Sequence, residues 1–336
     1  MSNRKFKEKK WQDEKLMLYH LISITIAVII DKIIGDPPNW PHPVKWMGNM
    51  ISMLEKIGNK GKRKRLKGLW MLLSVSAVTY LVAACIVYVS YSLHFLVGIL
   101  VESCLIATTI AQKSLKTAAL DVYKPLMKDD LATARLKLSY IVGRDTDLLS
   151  ETEIVRATVE TVAENTSDGI TAPLFWALIG GAPLSLVYRV INTCDSMVGY
   201  QNSKFGQFGY FSAKADDIVN LVPSRITAIL LLLFSKTPFY PKREAWRLLF
   251  SDAKKHPSPN SGWGEAATAI ILGIQLGGVN YYKGQISNRA KMGLPKVERN
   301  KAHIIASNTL MTKAILLFLL FLWIGGLTIE VAISWG

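Results

Sequence analysis

Between Lys67 and Glu102 the chain carries no Asp, Glu, Lys or Arg, and no other stretch limits the possible folds so sharply. A helix rises about 1.5 Å per residue, so roughly twenty apolar residues cross the ~30 Å hydrocarbon layer of a bilayer. The run has room for two crossings. It predicts helices over 69–89 and 93–111, joined by a tight turn at Tyr91–Ser92. A further apolar run, Leu16 to Ile30, passes into Asp31, Lys32 and then Gly35-Asp36-Pro37-Pro38 with no small-residue cleavage site, which predicts a retained first transmembrane helix over 16–34. Residues 314–334 predict a last one. Only 19% of the residues are charged, where a soluble domain carries about a quarter. The expected class is an all-α polytopic integral membrane protein of four to five transmembrane helices, located in the cell membrane.

The charge that remains is basic, 40 Lys and Arg against 25 Asp and Glu, for a net of +15. Nucleic acid is not the expected partner, because the basic residues lie between apolar runs, where they orient segments toward anionic lipid and the cytoplasm. Six of the eight residues from Lys60 to Lys67 are basic, which places this cluster on the cytoplasmic side. The basic arm 1–15 competes for the same side, and the denser cluster decides. Cys85, Cys104 and Cys194 lie in apolar or semi-apolar sequence without C-x-x-C spacing, so they read as small core residues. Glu102 falls mid-span, where a carboxylate is expensive; it is either a functional group or an interior acid satisfied by partners.

Residues 112–170 and 235–313 are polar enough to be cytoplasmic helical insertions. Asp129-Asp130 caps a helix to about Ile141, and Ser150-Glu151-Thr152-Glu153 is a capping box opening another. On that second helix Glu153, Arg156, Glu160 and Glu164 share a stripe; a solvated face explains Glu153 and Arg156. Glu164-Asn165-Thr166-Ser167-Asp168-Gly169 converges instead on a glycine turn suited to a ligand or cation. Segments 172–191 and 218–234 are apolar but interrupted by Pro173, Gly180-Gly181, Pro183, Pro223 and Arg225, the pattern of broken or re-entrant helices, which membranes tolerate where the freed backbone is buried or lines a cavity. Asn192 and Asp195 share a helical face, as do Asp216 and Asn220; oxygen ligands so spaced suit Mg²⁺, which takes one or two carboxylates plus substrate phosphate. Lys214 and Arg225 are placed to clamp phosphate. The loop Tyr200–Tyr210 is a candidate lid. A proline-rich loop bearing Asp36, His42 and Lys45, with Trp40 and Trp46, reads on composition as a rigid interfacial turn or, functionally, as part of a substrate mouth. Beyond Ser258-Pro259-Asn260-Ser261 a short apolar helix ends at about Gly277.

No Walker A sequence, dinucleotide fingerprint, nucleophile elbow or H-E-x-x-H is present. Chemistry alone therefore stops at a polytopic protein with an interfacial Mg²⁺-dependent phosphate site. The runs GDPPNWPHPVKWMG, ENTSDGITAPLFWALIGGAPLSLVYRVINTCDSMVGY, KADDIVNLVPSRITA and SPNSGWGEAATAIILGIQLGG, in that order from about Asp31 to Gly278, resemble the adenosylcobinamide-phosphate synthases of cobalamin biosynthesis, called CbiB or CobD. The resemblance implies an ATP-dependent ligase that joins aminopropanol, or its O-phosphate, to the free propionate of adenosylcobyric acid. ATP and Mg²⁺ are then required, and association with other membrane enzymes of late cobalamin assembly is expected. Within the motifs the candidate catalytic residues are Asp195, Asp216, Asp217 and Lys214. The candidate substrate-binding residues are Asp36, His42, Glu164, Asn165, Asp168, Asn192, Asn220, Arg225 and Asn260, and the candidate Mg²⁺ ligands are Asp195, Asp216 and Asn220. Two other readings stay open: an intramembrane Mg²⁺-dependent prenyltransferase, which the paired Asn and Asp residues also suit, and a transporter with broken helices.

Overall fold

The computed structural model describes residues 16–37 and 40–334, with side chains to 331. The basic arm 1–15 and the Pro38-Asn39 step of the proline loop lie outside the described residues. In chain order the helices are α1 (Leu16–Ile33), α2 (Pro43–Gly58), α3 (Lys64–Leu93), α4 (Phe95–Ala107), α5 (Gln112–Leu126), α6 (Leu131–Ser139) and α7 (Glu151–Thr166). A π-helical turn, Ser167–Thr171, leads to α8 (Ala172–Val198), α9 (Tyr210–Val219), α10 (Leu221–Phe234) and α11 (Lys242–Asp252). Then come α12 (Ser261–Leu272), strands β1 (Leu276–Tyr282) and β2 (Gln285–Met292), and α13 (Ala302–Ser334). Among the described residues five helical segments are long and apolar enough to cross a membrane, or six if the pair broken at Asn220 is one span. Two compact units divide the chain, one of residues 1–111, 172–219 and 319–336, the other of 112–171 and 220–318.

In the first unit the hairpin of α3 and α4 turns at His94, two residues beyond the expected Tyr91–Ser92 step. Ser90 and Ser92 do not break the helix because their hydroxyls donate back to the carbonyls of Ile86 and Tyr88. His94 does, because its backbone is extended and its Nδ1 accepts from the Leu96 N–H at the start of α4. Gly98 lets the two helices close, since a Cβ there would lie 2.3 Å from the Tyr91 ring. Glu102, fully buried on α4, accepts from Ser23 Oγ at 3.2 Å, Tyr91 Oη at 2.7 Å and the Ala182 N–H at 3.2 Å. His20 Nδ1 lies 3.0 Å away. The Ala182 donor is free because α8 is broken at Gly180 (φ −154°, ψ 35°) and Gly181 (φ 62°, ψ −159°). A second cluster packs Met47 and Ile51 of α2, Met71 and Val75 of α3, and Val190 and Cys194 of α8 around Phe208.

In the second unit α12 is the central element, buried at every position from Ser261 to Ile271. Trp263, Ala266 and Ile270 pack on Leu231, Leu232, Leu249 and Ala314. The Ser150 hydroxyl accepts from the Glu153 N–H and starts α7, and the Asp130 carboxylate accepts from the Thr133 N–H and starts α6. Three elements differ from the expectations. The stretch after Gly277 is not a helix end but β1, paired antiparallel with β2 through the two-residue Lys283-Gly284 turn. Both turn residues have positive φ, the geometry that matches strand twist, and the Asp145 carboxylate accepts both of their N–H groups. The expected glycine turn at Glu164–Gly169 is instead carried in helix through the π-helical turn, with Thr171 Oγ1 bonded to Thr227 Oγ1 at 2.6 Å. The last helix starts at Ala302, not 314, because the polar residues ahead of Lys313 include no Gly or Pro to stop it.

Candidate active site

In the first unit Asn192, near the end of α8, meets Asp216 of α9. Arg189 donates to Asn192 Oδ1 at 3.2 Å, and Asn192 Nδ2 donates to Asp216 Oδ1 at 3.2 Å, which ties the two helices face to face. Asp195, one turn beyond Asn192, accepts the Gly199 N–H on its carbonyl at 2.7 Å. Its carboxylate packs so closely on Gly199 that a Cβ there would lie 1.9 Å from Oδ1. Lys214 Nζ pairs with Asp217 at 3.3 Å across one turn of α9. Both line a cavity of about 520 Å³ whose far wall is the Tyr200–Tyr210 segment, where the Asn202 side chain accepts from the Lys204 and Phe205 N–H groups. Asp36 and His42 also meet, at 3.1 Å, with His42 Nδ1 accepting from the Val44 N–H as the cap of α2.

Asn220, a proposed ligand beside Asp216, belongs to the second unit, where it is buried at the head of α10 and its carbonyl accepts from Ser224. Among the described residues no three His, Cys, Asp or Glu side chains gather around a common point as a metal cage would require. Asp195 and Asp216 are half-buried, and Mg²⁺ can be held by one or two carboxylates while it keeps its waters and the phosphates it arrives with.

The second unit holds a separate constellation on α7, α10 and α12. Arg225 donates to Asn260 Oδ1 at 3.2 Å and to the Pro259 carbonyl at 3.3 Å, and its guanidinium lies 5.0 Å above the Trp263 ring. It opens onto a cleft of about 390 Å³ lined also by Lys254, His256 and Pro257. A planar guanidinium held on an aromatic face is pre-set for a phosphate or carboxylate. Glu164 Oε1 accepts from Ser261 Oγ at 2.8 Å, whereas Asn165 donates back into its own helix at Thr161 and Asp168 is half-buried on the π-helical turn.

Three residues missing from the sequence-based set are central here. Glu265 is buried on α12, His256 lies before it with its Nε2 3.7 Å from Glu265 Oε1, and Glu160 pairs with both Arg144 and Arg156. Arg156, expected on a solvated face, is only 1% exposed and also donates to the Gly277 and Val279 carbonyls of β1. Burial, with Glu160 and Glu164 close by, pushes the Glu265 carboxyl well above the ordinary range, and burial holds the His256 ring below its ordinary value. Glu265 had a signal in the sequence, since it is the one charge in an otherwise apolar run from Gly262 to Leu272.

The chain matches the family model described as CobD/Cbib protein over residues 24–311. It is 53% identical to the cobalamin biosynthesis protein CobD of Halalkalibacterium halodurans, over 91% of this chain and 97% of that one. It is 43% identical to CobD of Clostridium perfringens, over 87% and 93% of the two chains. It is also 43% identical to the cobalamin biosynthesis protein CbiB of Salmonella typhi, over 81% and 87%. No solved structure matches it significantly.

Proposed function

The chain belongs to the CobD/CbiB family of cobalamin biosynthesis proteins, and on that premise we propose that it is an ATP-dependent ligase that forms an amide between the free propionate of adenosylcobyric acid and aminopropanol or its O-phosphate. A carboxylate is too poor an electrophile for an amine. The γ-phosphoryl group of ATP must first pass to a carboxylate oxygen, giving an acyl phosphate that the amine then displaces. The observation that carries the proposal is the Arg225 cleft, in which a guanidinium fixed by Asn260 and stacked on Trp263 stands beside Lys254 and His256. There it would bind transferred or leaving phosphate oxygens, where charge accumulates in the transition state. Asp195 and Asp216 of the first unit would be the carboxylates that hold Mg²⁺. Lys214 would reach phosphate only by leaving Asp217.

Purified protein in lipid nanodiscs, given adenosylcobyric acid, ATP, Mg²⁺ and each amine donor in turn, should yield an amide product by mass and one ADP per amide. ADP release should require the corrinoid. ATP hydrolysis that ignores the corrinoid, or amide formation without ATP, would reject the proposal, and release of diphosphate from an isoprenoid would replace it with the prenyltransferase.

A further inference from the structure

In the first unit the link 59–63 between α2 and α3 closes a basic cleft. Glu55 Oε1 accepts from Asn59 Nδ2 at 3.2 Å and pairs with Lys204 Nζ at 3.4 Å, while Asn59 Nδ2 also donates to the Lys204 carbonyl at 3.1 Å. These contacts seat the Lys204 segment against the end of α2. Lys67 Nζ donates to the Lys60 carbonyl at 2.7 Å and so holds the link itself. The cleft encloses about 430 Å³, and its lining sets four lysines, Lys56, Lys60, Lys64 and Lys204, against one carboxylate, Glu55. That carboxylate is taken by Lys204. Among the described residues Lys56, Lys60 and Lys64 form no ion pair, so three like charges converge on one opening, at a cost that a bound anion removes.

The surface beside the cleft is apolar. On α2 Trp46, Met53 and Ile57 are 59, 60 and 67% exposed, and separations of seven and four residues put them on one stripe. A different side of the same helix carries Met47 and Ile51, which are buried in the cluster around Phe208. With 16 residues, α2 is about 24 Å long, too short to cross the ~30 Å hydrocarbon layer. The helix that follows it, α3, starts at Lys64 and is long and apolar enough to cross. The cleft therefore sits at the end of a spanning helix, and the bare stripe beside it has an apolar neighbour when α2 lies along the membrane surface. A soluble anion would use the lysines and leave the stripe bare. An apolar protein face would cover the stripe and leave the lysines unmatched. An anionic phospholipid satisfies both.

We propose that this cleft binds the phosphate headgroup of an anionic phospholipid, with α2 lying in the membrane interface on its Trp46, Met53 and Ile57 stripe. Lys56, Lys60 and Lys64 donate to the phosphodiester oxygens, and the acyl chains run past Ile57 into the bilayer that holds α3. Glu55 and Asn59 shape the wall, because their hydrogen bonds are spent on each other and on Lys204. The site is independent of the ligase function proposed above, since it shares no residue with the Arg225 cleft or with the contact of Asn192 and Asp216.

The test uses the full chain in nanodiscs of phosphatidylcholine with a minor share of phosphatidylglycerol. Native mass spectrometry of the released protein reads how far retained phosphatidylglycerol is enriched over its share in the bilayer. The wild type should be enriched, and the combined variant Lys56→Gln, Lys60→Gln, Lys64→Gln should lose about tenfold or more of that enrichment. Lys62→Gln, Arg63→Gln and Arg65→Gln together remove the same charge from exposed neighbours outside the cleft and should keep most of it. Equal loss in the two combined variants would reduce the effect to diffuse attraction and overturn the site. No enrichment in the wild type, or release of the lipid by added inorganic phosphate or ATP, would overturn it too. With Cys85, Cys104 and Cys194 replaced, a nitroxide on Ile57→Cys should be relaxed by oxygen, which concentrates in lipid, and shielded from a water-soluble nickel chelate. A label that the chelate reaches freely would overturn the interfacial placement of α2.

Discussion

At the residue scale a carboxylate's role follows from what surrounds it. Asp195 and Asp216 are both half-buried, and Asp216 accepts from the Asn192 amide across the two helices. Asp195→Asn and Asp216→Asn keep side-chain volume and remove the negative charge. Each should lower ligation by about 10²-fold or more while leaving the unfolding temperature near wild type, as assayed by amide yield alongside thermal scans. Full activity in both would make them caps and helix contacts. Glu265 is the opposite case. Below the ordinary glutamate range folded and unfolded chains both hold its proton; above it the unfolded chain releases the proton while the buried carboxyl keeps it. Stability therefore falls as pH rises through the window up to the raised native value. His256, depressed, loses stability in the other direction, as pH falls below its ordinary range. Glu265→Gln removes only the first effect, so its unfolding temperature relative to wild type should climb as pH rises above the ordinary glutamate range. A difference that stays constant as pH rises from there would mean the carboxyl is ionised throughout.

At the scale of the element, the break in α8 is built from backbone conformation and one buried acid. Gly181 combines positive φ with extended ψ, a region open essentially to glycine, and a Cβ there would lie 2.1 Å from Glu102 Oε1. Gly181→Ala should therefore lose about 1–3 kcal/mol from strain and as much again from overpacking, seen as a collapse in the monodisperse fraction extracted from membranes. Glu102→Gln should be milder, because it keeps the side-chain volume and one oxygen, which still accepts from one of the two donors, Tyr91 or the Ala182 N–H. If Gly181→Ala extracts and unfolds like the wild type, the break is not held by this contact. Helix starts were legible in the sequence where a side chain does the capping, at Ser150 and Asp130, because a cap is a local hydrogen bond. The turn at His94 was not, since Ser90 and Ser92 look like turn residues and become helical by bonding backward. Strand β1 was not either: two glycines after an apolar helix read as its end, and only pairing with β2 makes them a strand.

For the whole molecule, charge asymmetry predicts that Lys60–Lys67 and residue 128 face the cytoplasm. With Cys85, Cys104 and Cys194 replaced, Lys128→Cys should react with a membrane-impermeant maleimide in inside-out vesicles and resist it in intact cells. Labelling from outside would invert the orientation. The sequence by itself determined the membrane class, because a long uncharged run has no other stable solvent, and it determined the family, because four long motifs in order are specific. It also brought out Asn192, Asp216, Arg225 and Asn260, whose polar groups interrupt apolar sequence. The pairing of these residues was left to tertiary structure. Arg225 meets Asn260 and Trp263 across some 35 residues of chain, and Glu164 meets Ser261 across 97. Arg156 looked solvated until β1 covered it. Glu265 stands out locally as the one charge in an apolar run, but the shift of its carboxyl and that of the His256 ring come only from burial and neighbours, since desolvation and charge proximity arise when distant segments pack.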